Sequence, residues 1–470
     1  MLIYDIIMAV KGSESFDRKH VLPALVVFVI ITMSPLVMSV YLGAGNLINV
    51  LSNTENLVPL ALDLALAAAC ALVSVLLALP GAHIIAKYRL PLKGLYRAIC
   101  LLCLCTPVSI LTRSYTAIES LLNFKAPFEK FNQTVALVIS NAPLAVLIIA
   151  SHWMALKDSL EESARTLGYS KAHVFRTVTL PYLRSAIVGS LALVFIRCIS
   201  ECMIDSPLLG FAISLIALAV YCTSFFAKGK NSSIIAVHKT VRPSSFALRL
   251  LVFLYCLIMS VAVLAGPLYI LYVALFPNGS LDASAFISLF SSTETSGFQF
   301  IKELGVIAVP SALIAALLAS RLAYCARRRM FPVYLSLIAL GASLKLINVG
   351  VETLLQSIPA IPPLATAIIT QTVLLIPIEA VVMLPRFRSI DINLKLQATT
   401  LGFGASKSFY SVEATLTKSA IIAAILVALA FCISSKASMP EFSSWELAAC
   451  STVISFILLL ICSRLLRKKR

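Results

Sequence analysis

Glu161, Glu162 and Arg165 crowd a polar stretch, Leu160-Glu161-Glu162-Ser163-Ala164-Arg165-Thr166-Leu167-Gly168, that runs on to Val178-Thr179-Leu180-Pro181. An acidic and apolar surface of this kind suits recognition by a partner groove better than catalysis. A second group of residues is scattered through apolar sequence: Asp63, Arg197, Glu201, Asp205, Lys345 and Glu379. Ionisable groups within or at the ends of apolar spans are costly in lipid, so they mark candidate positions on a solute path. Arg197 and Glu201 also stand at i, i+4, where they can pair on one helix. Catalytic motifs are missing. Gly229-Lys230 lacks the upstream glycine and the following Ser or Thr of a phosphate-binding loop, the five histidines form no H-E-x-x-H, and no G-x-S-x-G occurs. Any energy the protein uses must come from a partner ATPase or from an ion gradient.

The elements that position these residues are membrane spans. Of 470 residues, 60% are hydrophobic and 13% charged, with a mean hydropathy of +0.97, against roughly 45–50% and 25% in soluble domains. Apolar segments of about twenty residues cross a bilayer as helices, because the backbone must satisfy its own hydrogen bonds there. About twelve spans are expected. The first half supplies 21–42, 57–80, 96–113, 132–155, 184–203 and 206–227; the second supplies 248–276, 303–324, 331–350, 360–384, 418–435 and 446–465.

The net charge of +17 follows topology rather than nucleic-acid binding. Basic residues gather in alternate loops: Lys87 to Arg97, Lys157 to Arg184, Lys228 to Arg249, Arg327 to Arg329, Arg386 to Lys418, and Arg467 to Arg470. These loops are therefore expected to be cytoplasmic, with both termini inside. Most of the 12 cysteines, Cys100 and Cys103 among them, lie in apolar spans and read as packing residues. Arg18 and Lys19 precede an apolar run, Val21 to Leu42, that is too long for a signal-peptide core and reads as an uncleaved first span.

The chain repeats. Gly402 follows Gly168 by 234 residues, and the same spacing relates Ala164, Thr166 and Leu167 to Ala398, Thr400 and Leu401, Phe175 to Phe409, Val178 to Val412, and Pro143 to Pro377. Six spans per half is an even number, so the copies point the same way. The expected organisation is a first half at 1–227, a basic linker at 228–247 and a second half at 248–470.

Within the first copy, Lys157 to Leu167 reads as a short helix that Asp158 or Ser159 can cap, with Glu161 and Glu162 in its first turn. Gly168 can take the left-handed conformation that stops it. Ser170 can cap a second helix whose apolar face is Val174, Phe175 and Val178, and Pro181 is expected to end that helix before the next span.

At the spacing Glu162-Ser163-Ala164, three residues, Gly168, nine residues, Val178, one residue, Leu180-Pro181, the stretch resembles the EAA loop of permease subunits of ATP-binding-cassette importers. The resemblance covers both halves and is similar to the fused permeases of thiamine and ferric-iron importers. It implies an all-α integral membrane fold of the type I importer class, in the bacterial inner membrane, built as two parallel six-helix repeats. It further implies that loops 158–182 and 391–416 each dock on one copy of an ATPase dimer, where ATP and Mg are bound, and that a periplasmic or lipid-anchored substrate-binding protein delivers solute. The chain itself would be a translocation subunit with no catalytic residue, metal or cofactor of its own. The docking residues implied are Glu161, Glu162, Ala164, Leu167, Gly168, Phe175, Leu180 and Pro181, with Ala398, Leu401, Gly402 and Phe409 in the second loop.

The second loop departs further from the pattern: Leu396-Gln397-Ala398 replaces Glu-Ala-Ala, and Ala414-Thr415 follows Val412-Glu413 where Leu-Pro is usual. A degenerate second loop is similar to the thiamine permeases. Thiamine carries a fixed positive charge, so Glu201 and Glu379, with Tyr221 as an aromatic partner, are the path residues this reading selects. A ferric-iron permease is the alternative within the class. A gradient-driven secondary transporter is the alternative outside it, and would need ion-coupling residues in mid-span.

Overall fold

The computed structural model describes residues 54–88, 93–106, 108–123, 130–154, 158–202, 207–226, 245–277, 284–289, 296–325, 344–356, 362–388, 415–437 and 444–467, with isolated positions between them such as 34–38, 40–41, 397 and 401. Every described regular element is a helix. They are α1 (Thr54–Lys87), α2 (Lys93–Cys105), α3 (Val108–Leu121), α4 (Phe131–Trp153), α5 (Asp158–Thr166), α6 (Lys171–Val174, a π turn Phe175–Thr179, then Leu180–Cys202) and α7 (Pro207–Phe226). The second half continues with α8 (Phe246–Leu275), α9 (Ser284–Ser288), α10 (Ser296–Glu303, a π turn Leu304–Ala308, then Val309–Cys325), α11 (Leu344–Gln356), α12 (Pro363–Arg388), α13 (Thr415–Ala437) and α14 (Trp445–Arg467).

Among the described residues, eight helices are long and apolar enough to cross a membrane: α1, α4, α6, α8, α10, α12, α13 and α14. They match eight of the expected spans. The span expected at 206–227 is α7, whose described apolar stretch is Leu209–Val220. The expected span 96–113 is two helices rather than one, because α2 ends and α3 begins around Pro107. A proline lacks the N–H that a helix interior needs, and its ring turns the preceding residue away from helical geometry. Thr106 closes α2 by sending both its N–H, at 2.9 Å, and its hydroxyl, at 2.8 Å, to the carbonyl of Leu102. In the region expected as 331–350, the described helix is Leu344–Gln356, and most of 331–343 lies outside the described residues. Most of 21–42 and of the linker 228–247 lies outside the described residues. Helix α8 starts at Phe246, where Ser245 caps it by accepting from the N–H of Leu248 at 3.2 Å.

The repeat extends into the helices. Ala71, Ser74, Ala78, Ala82 and Ala86 of α1 recur 237 residues on as Ala308, Ser311, Ala315, Ala319 and Ala323 of α10, and all ten are buried. Small residues let backbones approach, the main source of cohesion between helices in lipid. Each serine also ties its helix to a neighbour: Ser74 Oγ donates to Cys70 O (2.7 Å) and reaches Val138 O on α4 (3.4 Å), while Ser311 Oγ donates to Ile307 O (2.7 Å) and reaches Ile368 O on α12 (3.2 Å).

The halves interlock. Helix α8 opens the second half in sequence but packs on α1, α2, α3 and α4 of the first as well as on α14. In return, Leu36, near the N-terminus, packs with Leu346, Ile347 and Val351 of α11 and Val373 of α12. Further contacts across the divide join α2 to α13 and α14, and α7 to α11. The sequence halves are therefore not separate packing units.

Candidate functional site

The polar stretch forms a helical hairpin at the end of the first half's core. Helix α5 ends in a paired-bond stop: the Gly168 N–H donates to Arg165 O at 2.9 Å and the Tyr169 N–H to Ala164 O at 3.4 Å. That geometry needs a left-handed residue, and Gly168 supplies it at φ +87°. Two residues later the Ser170 side chain accepts from the His173 N–H at 3.3 Å and starts α6. Both turn-forming residues act as their types suggest.

Pro181 does not end the second hairpin helix, contrary to expectation. Helix α6 runs unbroken from Lys171 to Cys202, so the hairpin's second arm is the first turns of a membrane helix. The π turn Phe175–Thr179 explains how. By accepting the Leu180 N–H on Phe175 O, it widens the helix just ahead of the proline ring, which would otherwise clash with the carbonyl four residues back. The same device recurs in α10, where the π turn Leu304–Ala308 ends two residues before Pro310 and Leu304 O accepts from the Val309 N–H.

Glu161 also departs from the expected exposed acidic surface. It is only 8% exposed. Its carboxylate meets Lys87 Nζ, at the end of α1, at 2.5 Å, and accepts from Thr179 Oγ1, in the π turn, at 2.9 Å. Beneath this node the buried Trp153 ring packs 4.8 Å from His83 and 6.2 Å from Phe175, and Val174 is buried beside Phe175. Sequence reading missed Lys87, His83, Trp153 and Thr179. The available signal was that Lys87 and Trp153 stand where spans meet hairpin-side loops, as Thr179 stands inside the hairpin.

The outer face carries the remaining predicted residues. Glu162, Leu167 and Gly168 are exposed, as are Arg165 and Tyr169, while Ala164 is half-buried. Phe175, Leu180 and Pro181 are exposed along the hairpin's second arm. In the second copy Ala398, Gly402 and Phe409 lie outside the described residues. Leu401 is described, and it matches its counterpart: it is 75% exposed against 76% for Leu167, and its N–H bonds Gln397 O at 3.1 Å as Leu167 bonds Ser163 O at 3.3 Å.

Two of the path candidates, Glu201 and Tyr221, stand at different levels of their helices. Glu201 lies at the end of α6 far from the hairpin, where its backbone carbonyl accepts from Gln133 Nε2 at 3.4 Å. Tyr221 sits fourteen residues into α7, which returns toward the hairpin end, so about 20 Å of helix rise separates the two levels; its ring lies outside the described residues. Glu379, on α12, is 0% exposed, and neither carboxylate oxygen has a hydrogen-bond partner among the described residues. Asp63 is engaged structurally, 2.5 Å from Lys130. No group of His, Cys, Asp and Glu among the described residues could hold a metal ion.

The hairpin thus has its inner face locked to a membrane helix and its outer face presented. Residues 74–216 match the family described as Binding-protein-dependent transport system inner membrane component. The match runs from within α1 to within α7 and contains the whole first hairpin. The chain is 29% identical over 137 residues to the molybdate/tungstate transport system permease protein WtpB of Pyrococcus abyssi, covering 29% of this chain and 53% of that protein. It is 28% identical over 193 residues to the spermidine/putrescine transport system permease protein PotC homolog of Mycoplasma genitalium, covering 40% and 65%. To the sulfate transport system permease protein CysT of Salmonella typhimurium it is 27% identical over 130 residues, covering 26% and 47%. The chain thus spans about half to two thirds of the length of these relatives. No solved structure matches. The protein is a multi-pass, all-helical membrane protein whose first half is similar to importer permeases.

Proposed function

We propose that the chain is the membrane-spanning permease of an ATP-driven, binding-protein-dependent importer, working by alternating access between its two halves. One observation carries the reading: within the segment matching importer components, a Gly168-stopped, Ser170-capped hairpin presents Glu162, Arg165 and Leu167 outward and continues directly into membrane helix α6. Leu401, exposed like Leu167, supports a second docking point. An ATPase dimer closing on two such points would draw the halves together on one side and open them on the other. On this reading the hairpin side faces the cytoplasm and both termini are inside.

The relatives' names mention oxyanions and polyamines, so the matched segment carries the class of machine and not its cargo. Thiamine is the solute that the degenerate second loop favours, with ferric iron as the alternative. The test is ATP hydrolysis and uptake in proteoliposomes holding the chain and the ATPase purified with it, supplied with binding proteins loaded with thiamine, ferric iron, molybdate, sulfate or spermidine. Stimulation by one loaded protein establishes the class and the cargo together. Failure of the chain to bind any ATPase despite correct insertion overturns the reading.

A gradient-driven transporter is the second reading, favoured by Glu379 alone, a mid-helix carboxyl fully buried without a partner among the described residues. It predicts uptake that needs no ATP and is indifferent to the hairpin.

A further inference from the structure

We infer that Glu161 is a strut rather than a docking contact: it makes the hairpin and α1 one mechanical body, so that a push on the hairpin reaches the second half through α1 and Tyr255. The source of the push rests on the permease reading above; the strut itself does not.

Three elements meet at one carboxylate. Glu161 belongs to α5, the hairpin's first arm; Thr179 belongs to the π turn in its second arm; Lys87 is the last residue of α1. One carboxylate oxygen takes the lysine at 2.5 Å and the other the threonine hydroxyl at 2.9 Å. The bond to Thr179 fixes the angle between the arms, and the bond to Lys87 fixes both arms to the membrane helix. Charge-assisted bonds shielded from water are the stronger kind, and this node is shielded: Glu161 is buried, and the buried Trp153, Val174 and Thr179 pack around the same end of the hairpin. Glu162 and Arg165, its neighbours on α5, are exposed and free to meet a partner.

From Lys87 the load path is short. Ten residues back along α1, about 15 Å of helix rise, Leu77 O accepts the hydroxyl of Tyr255 at 2.6 Å. Tyr255 lies on α8, the first helix of the second half. Helix α1 is thus gripped by the hairpin at its end and by the opposite half about two thirds of the way along it. An acid at the strut position is peculiar to the first copy, since Lys395 stands there in the second.

The test is hydrogen exchange on the full chain in lipid nanodiscs, comparing wild type with Glu161→Gln and with the exchanged pair K87E/E161K. The Thr179 hydroxyl can accept as well as donate, so the exchanged pair can rebuild the node. Amide exchange in 161–179 and in the last turn of α1 is expected to rise together in E161Q and to return toward wild type in the exchanged pair. In parallel, the ATPase that co-purifies with wild type is expected to bind E161Q undiminished, while stimulation of its hydrolysis by loaded binding protein falls about tenfold and recovers in the exchanged pair. Unchanged exchange overturns the strut, whether or not an ATPase binds. Loss of ATPase binding in E161Q in step with uptake, without recovery in the exchanged pair, makes Glu161 a docking contact and overturns the inference. A wild-type chain that captures no ATPase overturns the permease reading and the coupling role, while the exchange data still decide the strut.

Discussion

Tyr255 reaches the carbonyl of Leu77 only because residue 81 has no side chain: a Cβ on Gly81 would lie 2.7 Å from the Tyr255 hydroxyl oxygen and 3.0 Å from Val146 Cγ2. The glycine is therefore a contact surface between the two halves. Gly81→Ala must displace the tyrosine, and is expected to cost about 1–3 kcal/mol as overpacking. Tyr255→Phe should cost about 1 kcal/mol for the lost bond while removing the clashing atom. The double variant is then less destabilised than the sum of the singles, as thermal unfolding in detergent would show. Strict additivity would mean that the two residues do not meet.

Gly168 has the opposite surroundings. No heavy atom lies within 4 Å of the position a Cβ would take, so a substitution there meets backbone strain and no clash. At φ +87° that strain is about 1–2 kcal/mol for most residues and least for asparagine. Gly168→Asn should keep most of the uptake, whereas Gly168→Val should lose ATPase association and uptake together while inserting normally. Equal uptake in the two variants would show that the left-handed stop does not shape the docking surface.

Leu167 and Leu401 test whether both copies of the loop dock. Each is an apolar side chain left about three-quarters exposed at the corresponding turn of its copy. The permease reading gives such a side chain the role of filling a partner pocket, and interface anchors typically lose about 1–2 kcal/mol or more on truncation. Leu167→Asp and Leu401→Asp are each expected to weaken ATPase co-purification about tenfold, and the pair to abolish it. A double variant no worse than Leu167→Asp would confine docking to the first hairpin.

What could be foreseen from sequence divides by range. Gly168 and Ser170 were legible because a helix stop and an N-cap are local chemistry, decided within a turn or two. The long apolar helices were legible for a similar reason, since length and hydropathy suffice. Pro181 misled because the rule that proline ends a helix is also local, and the π turn that evades it is visible only in the backbone. Glu161 was misplaced because its partner Lys87 is 74 residues away, and nothing near Glu161 tells an inward from an outward carboxylate. The packing of α8 against the first half was invisible for the same reason, taken to the scale of whole helices.

Glu379 tests whether a buried carboxyl lies on the solute path. Its carboxyl is fully buried on α12, between Ile378, which packs with Leu102 and Val427, and Ala380, which packs with Ala316 and Ala424. Both oxygens lack a partner among the described residues, a condition that costs about 1–3 kcal/mol for a buried polar group. Replacing it with an apolar residue of similar volume should remove that cost, so Glu379→Met is expected to unfold at a higher temperature than wild type. Such a destabilising group persists where function requires it or where another conformation gives it a partner. In an ATP-driven importer whose path lies elsewhere, the methionine variant keeps its ATP-dependent uptake, and that is the expected result. A stabilised, correctly inserted variant that has lost uptake would place Glu379 on the solute path, and retention of ATP hydrolysis in that variant would show the path blocked while the hairpins still dock.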